Sequence, residues 1–262
     1  MLIHINHNYH LVEVSPWPII GSISAILLTS GLMIWFHNYN IVLLCIGLIR
    51  TILCIYQWWF DVTRESSFQG LHCKKVIVGL RWGIILFIVS EIFFFFSFFW
   101  AFFQGSLTVE LELGGVWPPV SIEAFNPFKI PLLNTIVLLG SGITLTWSHH
   151  SLIEKEYGHC VLRLIITILL GIYFTILQSF EYIEASFNIR DCIYGSTFFV
   201  TTGFHGLHVI IGSLFLFFSL LRILKGHLSD EHHAGFEFSI WYWHFVDVVW
   251  LFLFVFIYWW AN

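Results

Sequence analysis

Seven long apolar stretches separated by short polar segments run along the chain. They are Trp17–Phe36, Ile41–Phe60, Val76–Phe103, Ile130–Trp147, Val161–Phe180, Ile193–Leu221 and Phe236–Trp260. Crossing a hydrocarbon layer about 30 Å thick takes about 20 residues of helix at about 1.5 Å each, and every stretch is near or beyond that length. A backbone in lipid must satisfy its own hydrogen bonds, so the runs are predicted to be α-helices. Strands of a membrane barrel would alternate apolar and polar positions, and these runs do not. The pattern therefore predicts an all-α polytopic membrane protein with seven transmembrane helices. It forms a single membrane domain over 1–262, with a polar segment at 1–16, helices I–II within 17–60 and helices III–VII within 76–260. No internal repeat interrupts it. Ser15 before Pro16-Trp17-Pro18 marks the first helix start, where prolines cost few hydrogen bonds. Trp58-Trp59 and Tyr258-Trp259-Trp260 fall near span ends, where amphipathic rings anchor at an interface.

Composition agrees with a lipid solvent. The chain is 58% hydrophobic, 19% aromatic and only 10% charged, against about 25% charged in soluble domains. Its net charge of −5 excludes the basic surface of a nucleic-acid binder. Cys45, Cys54, Cys73, Cys160 and Cys192 are scattered without a CxxC pair, so neither a disulfide framework nor a zinc or iron–sulfur site is indicated.

Lysine and arginine in the loops set an expected orientation. Arg64, Lys74, Lys75, Arg81, Lys155, Arg163, Arg222 and Lys225 lie on the N-terminal side of the spans, and only Lys129 and Arg190 on the other. The N-terminus is expected in the negative compartment and the C-terminus opposite. The longest loop, from about Gln104 to Lys129, carries ELELGGVWPP, and its Gly, Pro and Trp predict a packed excursion rather than a linker.

Ionisable groups inside lipid are costly and usually face protein or water. Glu91 lies about 15 Å into the third span at about 1.5 Å per residue. It reads either as a proton-exchanging or lipid-contacting carboxyl, or as a group hydrogen-bonded to a neighbouring helix for packing. A histidine is its expected partner, since His205 and His208 approach the same depth in the sixth span. Those two histidines, one turn apart on one face, could ligate haem or a metal; interhelical hydrogen bonding is the reading preferred. His244 and Asp247 share that spacing and read as an orienting dyad for a metal ligand or, preferably, as an interhelical polar contact. Arg50 lies halfway along the second span and is expected to face protein or a polar cleft.

Fourteen histidines also raise the possibility of an enzyme. Membrane di-iron desaturases gather histidine boxes on one side of the bilayer, and His149-His150 and His232-His233 both fall on the N-terminal side. The HxxHH and HxxxHH boxes are absent, however, and the short loops leave little room for a metal-binding cap. A transporter would be marked by broken helices or inverted repeats, and neither is found.

The polar segments nevertheless carry a specific signature. HNYHLVEVSPWP at 7–18, YQWWFDVTRESSFQG at 56–70 with His72, and RWGIILFIVSEIFFFFSFFWAFF at 81–103 occur in order. ELGGVWPPVSIEAFNPFKIPLLNT at 112–135, TWSHHSL at 146–152, GFHGLHVIIG at 203–212 and FEFSIWYWHFVDVVWLFLF at 236–254 follow. From about His7 to Trp260 the chain resembles subunit III of mitochondrial-type haem–copper cytochrome c oxidases. It departs at Asn8, where the family usually has proline, at Phe60, which replaces the arginine of WWRDV, and at Glu110 with the preceding GSLTV.

The resemblance implies a two-helix bundle (I–II) and a five-helix bundle (III–VII) separated by a V-shaped cleft holding phospholipids. It implies lipid contact at Trp58, Trp59, Glu65, His72, Glu91, Arg222, Lys225 and His227, with Phe93–Phe96 and Phe98-Phe99 packing acyl chains. It also implies that this chain has no catalytic residue and binds no haem, copper or other metal of its own. Those redox groups belong to partner subunits I and II, and accessory subunits complete the assembly. The expected place is the mitochondrial inner membrane, N-terminus in the matrix and C-terminus in the intermembrane space. MLIHINHNYHLVEVSPWP lacks both an apolar signal core and the arginines of a transit peptide, so synthesis inside the organelle is expected.

Overall fold

A computed structural model describes residues 9–109, 114–120 and 122–260. Among them are seven helices long and apolar enough to cross a membrane, and no strand. They are α1 (Trp17–Asn38), α2 (Val42–Phe68), α3 (Lys74–Leu107), α4 (Ile130–Ile153), α5 (Tyr157–Glu184), α6 (Ile193–Leu224) and α7 (Ala234–Trp259). The last turns of α2 (Arg64–Phe68) and α7 (Phe254–Trp259) are π-helical. Asn8, Glu110 and the ELEL part of the long loop lie outside the described residues.

Most helices run past the apolar stretches that signal them. Hydropathy registers only the part in hydrocarbon, whereas helical hydrogen bonding continues until a capping geometry intervenes. At the end of α6, Gly226 adopts φ +69°, and the N–H groups of Gly226 and His227 return to the carbonyls of Ile223 and Arg222. That Schellman turn stops the helix. Lys155 plays the same part after α4 at φ 65°.

The contacts divide the chain into two compact units, Met1–Leu80 and Arg81–Asn262, with the boundary inside α3. In the first unit, α1 and α2 pack as a hairpin with a turn at 39–41. Gly31 makes the close crossing possible: a Cβ there would sit 2.6 Å from the Leu44 backbone nitrogen. Gly47 meets the Leu28 backbone in the same way, at 2.9 Å. Apolar surface gains little by leaving lipid for protein, so such backbone-to-backbone packing supplies the attraction between helices. Near the chain's entry, Trp17 Nε1 donates to Asp61 Oδ2 at 2.6 Å, tying the two helices together.

In the second unit, α4, α5, α6 and α7 form a ring: α4 borders α5 and α7, and α6 closes the circuit between α5 and α7. Trp243 and Trp250 on α7 fill its middle, fully buried, and each indole N–H is satisfied by a hydroxyl of α4, Ser141 at 2.9 Å and Thr135 at 2.9 Å. Thr144 and Thr167 join α4 to α5 at 2.8 Å, and Tyr182 and Thr202 join α5 to α6 at 2.6 Å. From Arg81 onward α3 attaches through long side chains rather than close backbones. Phe94 meets Phe204, Phe95 meets His208, and Phe99 meets Phe252 and Phe256. The described part of the long loop is packed as predicted. Trp117 packs edge-on to Phe102 and tilted against Tyr194, Phe125 lies against Phe187 and Phe198, and Trp117-Pro118 is cis.

Candidate functional site

The polar groups inside the second unit form pairs between helices. Glu91 on α3 lies 3.0 Å from His208 Nε2 on α6, the histidine partner expected for it. The other ring nitrogen, Nδ1, is 2.7 Å from the Phe204 carbonyl, to which it can only donate. One mobile proton therefore lies between Glu91 and Nε2. Either the carboxyl donates to a neutral imidazole, or an imidazolium donates to a carboxylate. Glu91 keeps 20% of its side chain exposed, so this proton is within reach of the helix exterior.

His205, the companion of His208, is turned into the core. Its Nε2 bonds the Val246 carbonyl at 3.1 Å, and its ring packs on Phe174 and Trp250. His244 and Asp247 face α4, with Nδ1 and Oδ2 3.6 Å apart, longer than a hydrogen bond. His244 Nε2 lies 3.5 Å from Thr146, and a Cβ on Gly142 would meet Asp247 Oδ2 at 2.8 Å. The dyad is thus pressed against a glycine of the neighbouring helix. Arg50 is exposed on α2, with no hydrogen-bond or ion-pair partner among the described residues.

The residues linked to lipid by resemblance fall in both units. In the first, Trp58 and Trp59 are exposed on α2. Glu65 is buried and lies 3.2 Å from His10 Nε2, whose ring is 5.4 Å from that of His72. Arg64 reaches Glu13 at 3.0 Å beside them. In the second unit, Arg222, Lys225 and His227 gather at the Schellman turn ending α6. Burial, and then the cations of Arg222 and Lys225, hold the His227 pKa below its ordinary 6.5. Three nitrogen-bearing side chains at one helix C-terminus make a site that favours an oxyanion.

Several polar residues that sequence reasoning passed over are buried or paired here. Glu181 is 1% exposed near the end of α5, where its position in QSFEYIE reads simply as a span boundary. Gln178 bridges Asn134 (3.4 Å) and Tyr258 (3.2 Å) in the same region. Glu237 gives no signal in the sequence beyond a charge at a helix start, yet Arg81 grips it with contacts of 2.9 to 3.2 Å. One histidine from each of the pairs His149-His150 and His232-His233 meets at its side: His149 Nε2 and His233 Nε2 are 3.2 Å apart.

The profile of the family described as "Cytochrome c oxidase subunit III" matches residues 7–262. The chain is similar to cytochrome c oxidase subunit 3 of Aedes aegypti, 60% identical over 262 residues and covering 100% of both chains. It is 60% identical to that of Drosophila melanogaster over the same span, again covering 100% of both. The Mus musculus protein of that name is 61% identical over 259 residues, 99% of each chain.

Proposed function

Because the chain belongs to the cytochrome c oxidase subunit III family, we propose that it is the non-redox core subunit III of respiratory complex IV in the mitochondrial inner membrane. There it supports electron transfer from cytochrome c to oxygen coupled to proton pumping. It does so by bracing subunit I and holding structural phospholipids, while haem and copper reside in subunits I and II. Its N-terminus faces the matrix and its C-terminus the intermembrane space.

The observation that carries the non-redox reading is the engagement of the intramembrane histidines by protein. Both nitrogens of His208 are taken, by Phe204 and Glu91, and His205 Nε2 is spent on Val246. Both nitrogens of His208 are thus committed to protein, and the ring of His205 is enclosed between Phe174 and Trp250 in the core. Lipid holding is supported by Arg222, Lys225 and His227 at one helix end, where cations and a histidine can meet a phosphate. The exposed aromatic faces of α2 and α3, including Trp58, Trp59, Phe93 and Phe96, suit acyl chains.

The test is gentle removal of this chain from the purified assembly. The remaining complex should keep its haem and copper and lose bound phospholipid; release of haem or copper with the chain would refute the reading. The Glu91–His208 pair favours a second role, since it holds one exchangeable proton at intramembrane depth. Glu91→Gln would then cut proton pumping sharply, and unchanged pumping would reject that role.

A further inference from the structure

We infer that His149, His233 and Glu237 form a binding site for one redox-inert divalent cation of the zinc class. His149 lies near the C-terminal end of α4, His233 at the residue preceding α7, and Glu237 in the first turn of α7. One ligand atom from each can be chosen so that all lie within 4.8 Å of one another. In a tetrahedral zinc site, metal–nitrogen bonds of about 2.0–2.1 Å place neighbouring ligand atoms about 3.3 Å apart. The two Nε2 atoms are already 3.2 Å apart, and Glu237 Oε1 lies 3.7 Å from His233 Nε2. The His149–Glu237 separation is no more than 4.8 Å, so a side-chain shift of at most about 1.5 Å closes the set around one ion.

The surroundings prepare the ligands. His233 Nδ1 lies 3.0 Å from the Ser229 carbonyl, so it carries the proton and leaves Nε2 as a lone pair aimed at His149. A backbone carbonyl holding the far nitrogen of a histidine is the outer-shell arrangement that fixes a metal-ligating tautomer. Ser229 is itself fixed by a turn in which its hydroxyl accepts from the His232 N–H at 3.0 Å. Arg81 donates to both oxygens of the Glu237 carboxylate, to Oε2 at 2.9 Å and 3.2 Å and to Oε1 at 3.1 Å, and Oε1 also lies toward His233. The Phe236 ring lies edge-on to His149, at 5.9 Å, and limits its movement. His149 and Glu237 remain partly exposed, which gives an entering ion a path and leaves a position for water.

Three ligands supply one metal, not the dinuclear iron centre that histidine boxes build. Two imidazoles and a carboxylate suit zinc over magnesium or calcium, which take oxygen ligands. Arg81 opposes the ion, because it already neutralises Glu237 and adds a repelling charge. Its removal should therefore strengthen binding, whereas an arginine that merely supported the fold would weaken everything when lost.

The experiment uses the full-length chain in detergent, freed of metal with a chelator, with Zn²⁺ measured by equilibrium binding and Co²⁺ by visible absorption. Wild type should bind one Zn²⁺ per chain and give the intense visible bands of tetrahedral Co²⁺. His149→Asn and His233→Asn, checked for unchanged helicity by circular dichroism, should weaken binding by more than about tenfold. His150→Asn should leave binding unchanged, and Arg81→Gln should tighten it several-fold. Failure of wild type to bind stoichiometric Zn²⁺ would overturn the inference, as would octahedral Co²⁺ bands. So would binding that survives both histidine variants. Should either histidine variant lose its helicity, the wild-type Co²⁺ spectrum and the Arg81→Gln shift decide.

Discussion

Replacing Gly171 by alanine tests whether Trp243 is the rigid centre of the α4–α7 ring. A Cβ at Gly171 would lie 2.6 Å from Trp243 Cη2, 2.8 Å from Ser213 Oγ and 3.2 Å from Trp243 Cζ2. Carbon atoms rest about 3.5–4.0 Å apart, so the indole would have to move by roughly 1 Å. It has nowhere to go. Its N–H is anchored on Ser141 at 2.9 Å, and another edge of the ring lies against Gly212, where a Cβ would be 2.9 Å from Cε3. Overpacking of this kind costs about 1–3 kcal/mol, and loss of the indole hydrogen bond in a membrane protein adds roughly 0.6 kcal/mol. Alanine also favours the helix over glycine by up to about 1 kcal/mol, which blurs a single measurement. Gly140→Ala supplies the control: it lies in α4 with nothing within 4 Å of the added Cβ, and it carries the same propensity gain. Stepwise SDS unfolding of the purified chain, followed by far-ultraviolet circular dichroism, should place Gly171→Ala about 1–3 kcal/mol below Gly140→Ala. That difference is about fivefold to 150-fold in the folding equilibrium. Equal midpoints for the two variants would refute the wedge.

The remaining expectations concern polar contacts. His208→Leu should destabilise the chain by about 0.6–1.7 kcal/mol in the same assay by stranding Glu91, while Glu91→Gln, which still donates to Nε2, should cost less; the reverse order would contradict the pairing. Asp61→Leu removes the acceptor of Trp17 Nε1 and should cost about 1 kcal/mol with a shift in tryptophan emission, whereas Asp61→Asn should preserve both; identical behaviour of the two variants would show the contact to be idle. Burial and the cations of Arg222 and Lys225 hold the His227 pKa below its ordinary value. A bound phosphate favours the protonated ring, so binding takes up a proton and should tighten as pH falls from 8 through the ordinary histidine value toward 6. Phospholipid retention by the complex should show that trend in wild type and lose it in His227→Asn, and a flat profile in wild type would remove His227 from the lipid site.

The run of apolar residues by itself determined the class of fold, because a backbone in hydrocarbon has only helix or closed barrel open to it, and the runs lack the alternation of strands. Glu91 and the histidines of the sixth span were legible for a similar reason: a costly ionisable group at depth announces itself against an apolar background. Their roles were not. His205 and His208 stand one turn apart in the same motif, yet one bonds a backbone carbonyl in the core and the other meets Glu91, a difference set by which neighbour each face of α6 encounters. Helix ends were also beyond hydropathy, since turns such as Gly226 and Lys155 depend on backbone geometry outside the hydrocarbon. Only the tertiary structure decided that His149 and His233, 84 positions apart, would face each other beside Glu237. Sequence spacing reveals neighbours on one helix, but contacts between helices follow from how glycines and indoles let whole helices approach.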